Sequence, residues 1–276
     1  MQVQIITYYC FCEDFLRAIE YTDDRRTVMS TSEVMTIAFV AAAYFKGCFE
    51  LSHGFLMEHG YIKRMLSKSR FNRRIHAIPE WVWRMFWYGL GEAAKATHEG
   101  DEYSVDSMPV PYCNNIRISH SKLYKGEANR GKIASKRRYF YGIRIHLLVT
   151  KAGLPVEWVL ADGSEADIHA FKRFNLDIPT HSIIDADKGY TDYSWEDLLK
   201  EDAEITLMAL RKKNAKRQMN GCWQYICQKT RKQIEHTFSQ VSDKFERSIG
   251  AVTKKCFELK CFLFVWVFAL TKLANI

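Results

Sequence analysis

The stretch IIDADKGY, residues 183–190, reads as a buried strand that runs into a turn. Ile183 and Ile184 begin it, and Lys188-Gly189 breaks it. Acidic residues are poor strand formers, so Asp185 and Asp187 at the end of an apolar run call for a function. On a strand, residues two apart share a face, so facing direction does not separate the two aspartates. Position does. Asp187 stands at the strand's end, where its carboxylate can reach an open cleft. Asp185 lies one pleat further back and reads as a supporting residue or the alternative ligand.

The elements around this stretch follow from their periodicities. EYSVDSMPV, 102–110, is a strand carrying Asp106. Residues 138–163 read as two strands joined by the Lys-Ala-Gly turn at 151–153. In the first of these, Tyr139, Tyr141, Ile143, Ile145 and Leu147 share one face, with Arg144 and His146 on the other. ADIHAFKRF suggests a short helix at 166–174, and YSWEDLLKEDA one at 193–202. ITLMAL, 205–210, is a last strand. Helices at 227–247 and 254–273 close the chain. The order strand, hairpin, helix, strand, helix, strand, helix describes an α/β fold, a mixed sheet with helices on its faces.

The first hundred residues read as helices. Ser30 and Glu33 form a capping box for a helix over 32–45. Further helices fit 50–59 and 68–77, and Pro79 opens an amphipathic one to about residue 97. The expected division is a helical domain over 1–98 and a sheet domain over 99–276. The basic SRFNRR segment leaves two readings of the helical domain: a DNA-binding module or a cap on the sheet domain.

Charge is unevenly spread. The net charge is +8. Residues 112–151 hold ten Lys/Arg against one Glu, residues 152–204 four against thirteen acids, and residues 205–276 fourteen against four. An acidic block between two basic ones suits a metal-binding carboxylate site flanked by phosphate-binding surface; separately solvated faces are the plainer reading. The eight cysteines have no zinc-ligand spacing, and reduced thiols imply a cytoplasmic setting. No signal peptide is apparent. The apolar run 261–271 falls short of the roughly 20 residues needed to span a bilayer and suggests a core helix.

Three acids are candidates for chemistry: Asp106, Asp187 and Glu235. Glu235 sits on a helical stretch whose apolar residues, Ile234, Phe238 and Val241, are spaced by four and three. Two strand carboxylates and one helix carboxylate could hold a pair of Mg²⁺ ions, which favour oxygen ligands. Taken singly, Asp106 could be a turn or edge residue, and Glu235 an i,i+4 partner of Arg231. Asp162 and Asp167 read as helix-capping residues or as support for the site. His146 and His181 read as ordinary core or surface histidines.

Together, DSMPVPYC (106–113), residues 139–171, DADKGY (185–190) and RKQIEHTF (231–238) resemble the DDE-type transposases of bacterial insertion sequences, which have a ribonuclease H-like fold. The resemblance covers about residues 100–245. It implies that Asp106, Asp187 and Glu235 are catalytic and bind two Mg²⁺ ions, with Mn²⁺ able to substitute. It also implies double-stranded DNA partners (element ends and target), a homo-oligomer on DNA, a bacterial cytoplasmic, nucleoid-associated location and no membrane. Arg231 matches the family's basic residue four before the glutamate. The family's Tyr three before that Arg and Lys seven after the Glu are here Gln228 and Ser242. The implied reaction is hydrolysis at the element end, followed by attack of the freed 3′-hydroxyl on target DNA. The rival readings are a nuclease of the same fold that does not join strands, and an inactive DNA-binding remnant. Candidate phosphate contacts, besides Arg231, are Lys136, Arg137, Arg138, Lys188, Arg211, Lys212, Lys213 and Arg217.

Overall fold

The computed structural model describes residues 1–98, 100–133, 137–245 and 249–274, without the side chains of 114–117 and 233. Lys136 lies outside the described residues. The chain divides into two compact units, one of Met1–Trp87 with Asp243–Ile276 and one of Tyr88–Ser242.

The first unit is helical. It holds α1 (Gln2–Ala18), α2 (Thr31–Tyr44), α3 (Phe49–Glu58), α4 (Lys68–Ala77), the start of α5 (Glu80–Ala96) and, from the far end of the chain, α9 (Lys254–Leu273). The capping box of α2 forms as expected: Glu33 N–H donates to Ser30 Oγ, and Ser30 N–H to Glu33. Apolar almost all round, α2 is correspondingly buried almost all round. Trp266 of α9 stacks on Phe39 of α2 at 4.2 Å and on Phe86 of α5 at 3.8 Å between ring centroids. The run 261–271 is thus a core helix. No single helix among the described residues is long and apolar enough to cross a membrane.

This division differs from the boundary expected at 98/99. The C-terminal helix belongs with the N-terminal ones because its apolar surface is covered by α2 and by the aromatic residues of α1 and α5. Periodicity marks α9 as buried without saying what buries it.

The second unit is the sheet. Its strands among the described residues are β1 (Glu102–Asn114), β2 (Arg130–Ile133), β3 (Arg138–Thr150), β4 (Pro155–Asp162), β5 (Ile183–Ala186) and β6 (Thr206–Ala209). β1 pairs antiparallel with β3 and parallel with β5, which pairs parallel with β6. β1 takes one edge of β3, so β2 and β4 share the other, end to end. The helices are α6 (Asp167–Phe171), α7 (Tyr193–Asp202) and α8 (Gly221–Lys244). This mixed, helix-flanked sheet is the α/β, ribonuclease H-like class expected.

Two local details differ. β2 lies inside a basic segment that shows no strand periodicity, because its four residues are fixed by pairing with the start of β3. α8 begins six residues before the expected start, through Trp223, Tyr225 and Ile226, which are exposed and carry no inward face to mark them.

Candidate active site

The parallel register of β1 and β5 pairs Ser104 with Asp185 and Val105 with Ala186. The next rung brings Asp106 beside Asp187, just where β5 ends. Since alternate residues share a face, Ser104, Asp106, Asp185 and Asp187 all point to one side of the sheet. That side is covered by α8. Its residues Cys227, Arg231 and Glu235 recur every four positions, one turn apart on one stripe.

These two rows interlock. Cys227 Sγ donates to Asp185 Oδ1 at 3.2 Å, deep under the helix. One turn on, Arg231 Nη1 donates to Asp187 Oδ1 at 2.8 Å, and its Nε donates to Glu235 Oε1 at 2.9 Å. Asp106, Asp185, Asp187 and Arg231 line one small cavity. Asp187 and Glu235 therefore share one guanidinium, and Asp106 faces the same charge. Asp185 is buried and sealed by the thiol, whereas Asp187 is more open and its Oδ1 also accepts from Lys188 N–H at 2.7 Å, opening the turn Lys188–Tyr190.

Asp106 is half-buried, and its pKa is pushed up to about 6. Burial is the main cause. The Ser107 N–H, donating at 2.7 Å, and the Arg231 charge oppose it, while Asp187 and Asp167 add to it. Burial also raises the Asp185 pKa, with the Cys227 and Thr230 hydrogen bonds opposing.

No group of three or more His, Cys, Asp or Glu side chains among the described residues is arranged to hold a metal ion. Chemically the donor set still fits a hard divalent cation: carboxylate oxygens from Asp106, Asp187 and Glu235, gathered around one positive charge. Such an ion would take over the counter-charge role that the Arg231 guanidinium fills.

The expected phosphate contacts fall into two sets. Arg137, Arg138, Lys188, Lys212 and Lys213 are exposed. Arg211 and Arg217 are engaged by acids of α7. Arg211 is held at both ends by Glu196, at 2.7 and 2.6 Å, with only 12% of its side chain exposed. Arg217 is held by Asp197 at 2.6 and 2.8 Å. Both lie over the Tyr193 ring. They pin the loop after β6 to α7, and the lysines between them face solvent.

Asp162 and Asp167 do not cap α6; Ala166 holds the N-cap position without a side-chain bond. Asp167 instead accepts from Ser107 Oγ. His146 is a core histidine bonded to Tyr190, and His181 is an exposed one near Glu204. Ser107 and Tyr190 are not among the candidates from sequence, although both lie inside recognisable motifs, DSMP and DKGY.

In the helical unit, Arg26, Arg70, Arg73 and Arg74 line a concavity of about 360 Å³. Arg74 is paired with Asp23. Arg70 and Arg73, on the outer face of α4, are exposed and pair with no acid among the described residues.

A family model described as a transposase DDE domain matches residues 95–248, more than half of the chain. A search of curated proteins returns no match.

Proposed function

The chain belongs to the family of DDE-domain transposases, and from that premise we propose that it cleaves the ends of its insertion-sequence DNA and joins them to target DNA. The observation that carries this reading is the convergence of strand and helix carboxylates on Arg231. Asp106 and Asp187 share one sheet face, and Glu235 is tied to Asp187 through that guanidinium.

On this reading Asp106, Asp187 and Glu235 hold divalent ions, Mg²⁺ or Mn²⁺. Two bound ions would supply charge stabilisation to the attacking and leaving oxygens at phosphorus. The residues of this chain set that up. β1 and β5 present two carboxylates side by side, and α8 brings the third across the sheet. Burial favours the protonated Asp106, so a cation must displace a proton there at mildly acidic pH. Arg231, once relieved of its carboxylates, is one turn from Glu235 and free to meet a backbone phosphate. Lys188, Arg137, Arg138, Lys212 and Lys213 are the exposed cations of the sheet unit proposed to bind DNA. In the helical unit, Arg70 and Arg73 are proposed to contact duplex phosphates. The protein would act on double-stranded DNA as a homo-oligomer in the bacterial cytoplasm, at the nucleoid.

The test uses labelled element ends, a target plasmid and Mg²⁺. Cleaved ends and joined products are expected from the wild type, and neither from Asp106→Ala, Asp187→Ala or Glu235→Ala. Cleavage with no joined product would leave a nuclease. Full cleavage by Asp187→Ala would remove the assigned carboxylates.

A further inference from the structure

On the sheet face away from α8 a second cluster centres on Asp167, the first residue of α6. Asp106 and Ser107 are consecutive in β1, so they point to opposite faces, and Ser107 points to this one. Its Oγ donates to Asp167 Oδ1 at 3.1 Å. Arg144 Nη1 lies 3.9 Å from the same oxygen and donates to Ser107 Oγ at 3.3 Å. Arg144 is itself fixed by the carbonyls of Gly163 and Lys132, at 3.2 and 3.1 Å.

His146 completes the cluster. It is fully buried, and its Nδ1 lies 2.9 Å from the Tyr190 hydroxyl. Its Nε2 is buried without a hydrogen-bond partner, 4.0 Å from Asp167 Oδ1. Burial, with the nearby Arg144 and Arg173 charges, pushes its pKa down to about 3, so the ring is neutral. Asp167 Oδ1 is the carboxylate oxygen that faces the unpartnered Nε2.

The other carboxylate oxygen meets the turn that follows Asp187. A Cβ on Gly189 would stand 2.5 Å from Asp167 Oδ2, so only glycine lets the two approach so closely. Asp167 therefore bonds Ser107, the residue after Asp106, whose N–H holds the Asp106 carboxylate, and closely approaches Gly189, two residues after Asp187 in the turn that Asp187 opens.

We propose that Asp167 is a positioning residue for the divalent-cation site. From behind the sheet it fixes Ser107 and the Lys188–Tyr190 turn, and through them the carboxylates of Asp106 and Asp187. This rests on the proposed two-ion reading of those carboxylates. Partners one step removed from a metal ligand commonly contribute about 10–100-fold to metal affinity.

The experiment is Mn²⁺ binding to the full chain without DNA, followed by electron paramagnetic resonance, with thermal unfolding in chelator as the folding control. Asp167→Asn keeps the shape and removes the charge; Mn²⁺ affinity is expected to fall about 10–100-fold with unfolding little changed. Gly189→Ala pushes the carboxylate off the turn and should weaken binding too. The double variant should be weakened by less than the sum of the two singles, because both changes act through Asp167. Wild-type affinity in Asp167→Asn, or strictly additive effects, would overturn the proposal. If Asp167→Asn does not fold, Ser107→Ala and Gly189→Ala decide in its place, weakened binding supporting the proposal and wild-type affinity overturning it. A wild-type chain that binds no Mn²⁺ sinks the two-ion reading itself, a result distinct from failure at Asp167 alone.

Discussion

Asp106 is held where its charge is least welcome. Burial raises its pKa from 3.8 to about 6, although Ser107 N–H and Arg231 favour the ionised form. A carboxyl whose folded pKa is raised binds its proton more tightly folded than unfolded. The metal-free chain therefore loses stability from this group as pH rises from about 4 to about 6. The shift corresponds to at most roughly 3 kcal/mol. Asp106→Asn removes the charge at nearly the same shape. Its stabilisation over the wild type, from urea unfolding in chelator, should be larger at about pH 7.5 than at about pH 4.5. A difference that does not change with pH would show that Asp106 stands in no such strain. At this scale the sequence is legible where a local rule applies. The sequence places Asp187 at the strand's end and Asp185 one pleat back, and in the structure Asp185 is closed off beneath Cys227. Asp167 is different. Its partners lie on β1, on β3 and in the turn after β5, brought to it by strand pairing, and no local pattern announces such a meeting.

Elements are legible where one face is apolar and obscure where pairing or exposure sets them. The stripe of Cys227, Arg231 and Glu235 follows from helix geometry once α8 is placed, but α8 starts in residues with no inward face, and β2 exists only by virtue of β3. α4 shows the legible case. Phe71 and Ile75 turn inward and leave Arg70 and Arg73 outside. Two arginines without acids, beside Arg26 on a concave surface, suit phosphates. Replacing both by alanine should weaken binding to any duplex rather than to one sequence, and reduce the slope of log affinity against log salt by about 2. Fluorescence anisotropy on the full chain across a salt series measures this, with catalytic residues untouched and chelator present. An unchanged slope would take α4 out of the DNA surface.

For the whole molecule, what the sequence leaves open is which surface covers which. Charge blocks, strand order and the RKQIEHTF helix point to the sheet unit and its acids, because each is written within a short span. The partner of α9 is not, since α2 lies more than 200 residues earlier in the chain. α9 is apolar through Phe262, Leu263, Val265, Trp266 and Val267, all buried. Its aromatic contacts run to Phe11, Phe39, Trp83, Phe86 and Trp87, all within the first 87 residues, and to Phe245, which precedes it in the chain. A fragment of residues 99–276, cut at the boundary that the change from helix to strand suggests, keeps α9 and loses all of those partners but Phe245. It should bind a hydrophobic dye strongly and aggregate, because a large apolar face is left uncovered. A fragment of residues 88–242 carries no α9 and ends where the sheet unit's own contacts end. It should stay soluble at concentrations where the longer fragment precipitates. Dye fluorescence and sedimentation of the two, side by side, decide the point: equal solubility would mean that α9 finds cover within the sheet unit and that the helical unit does not need it.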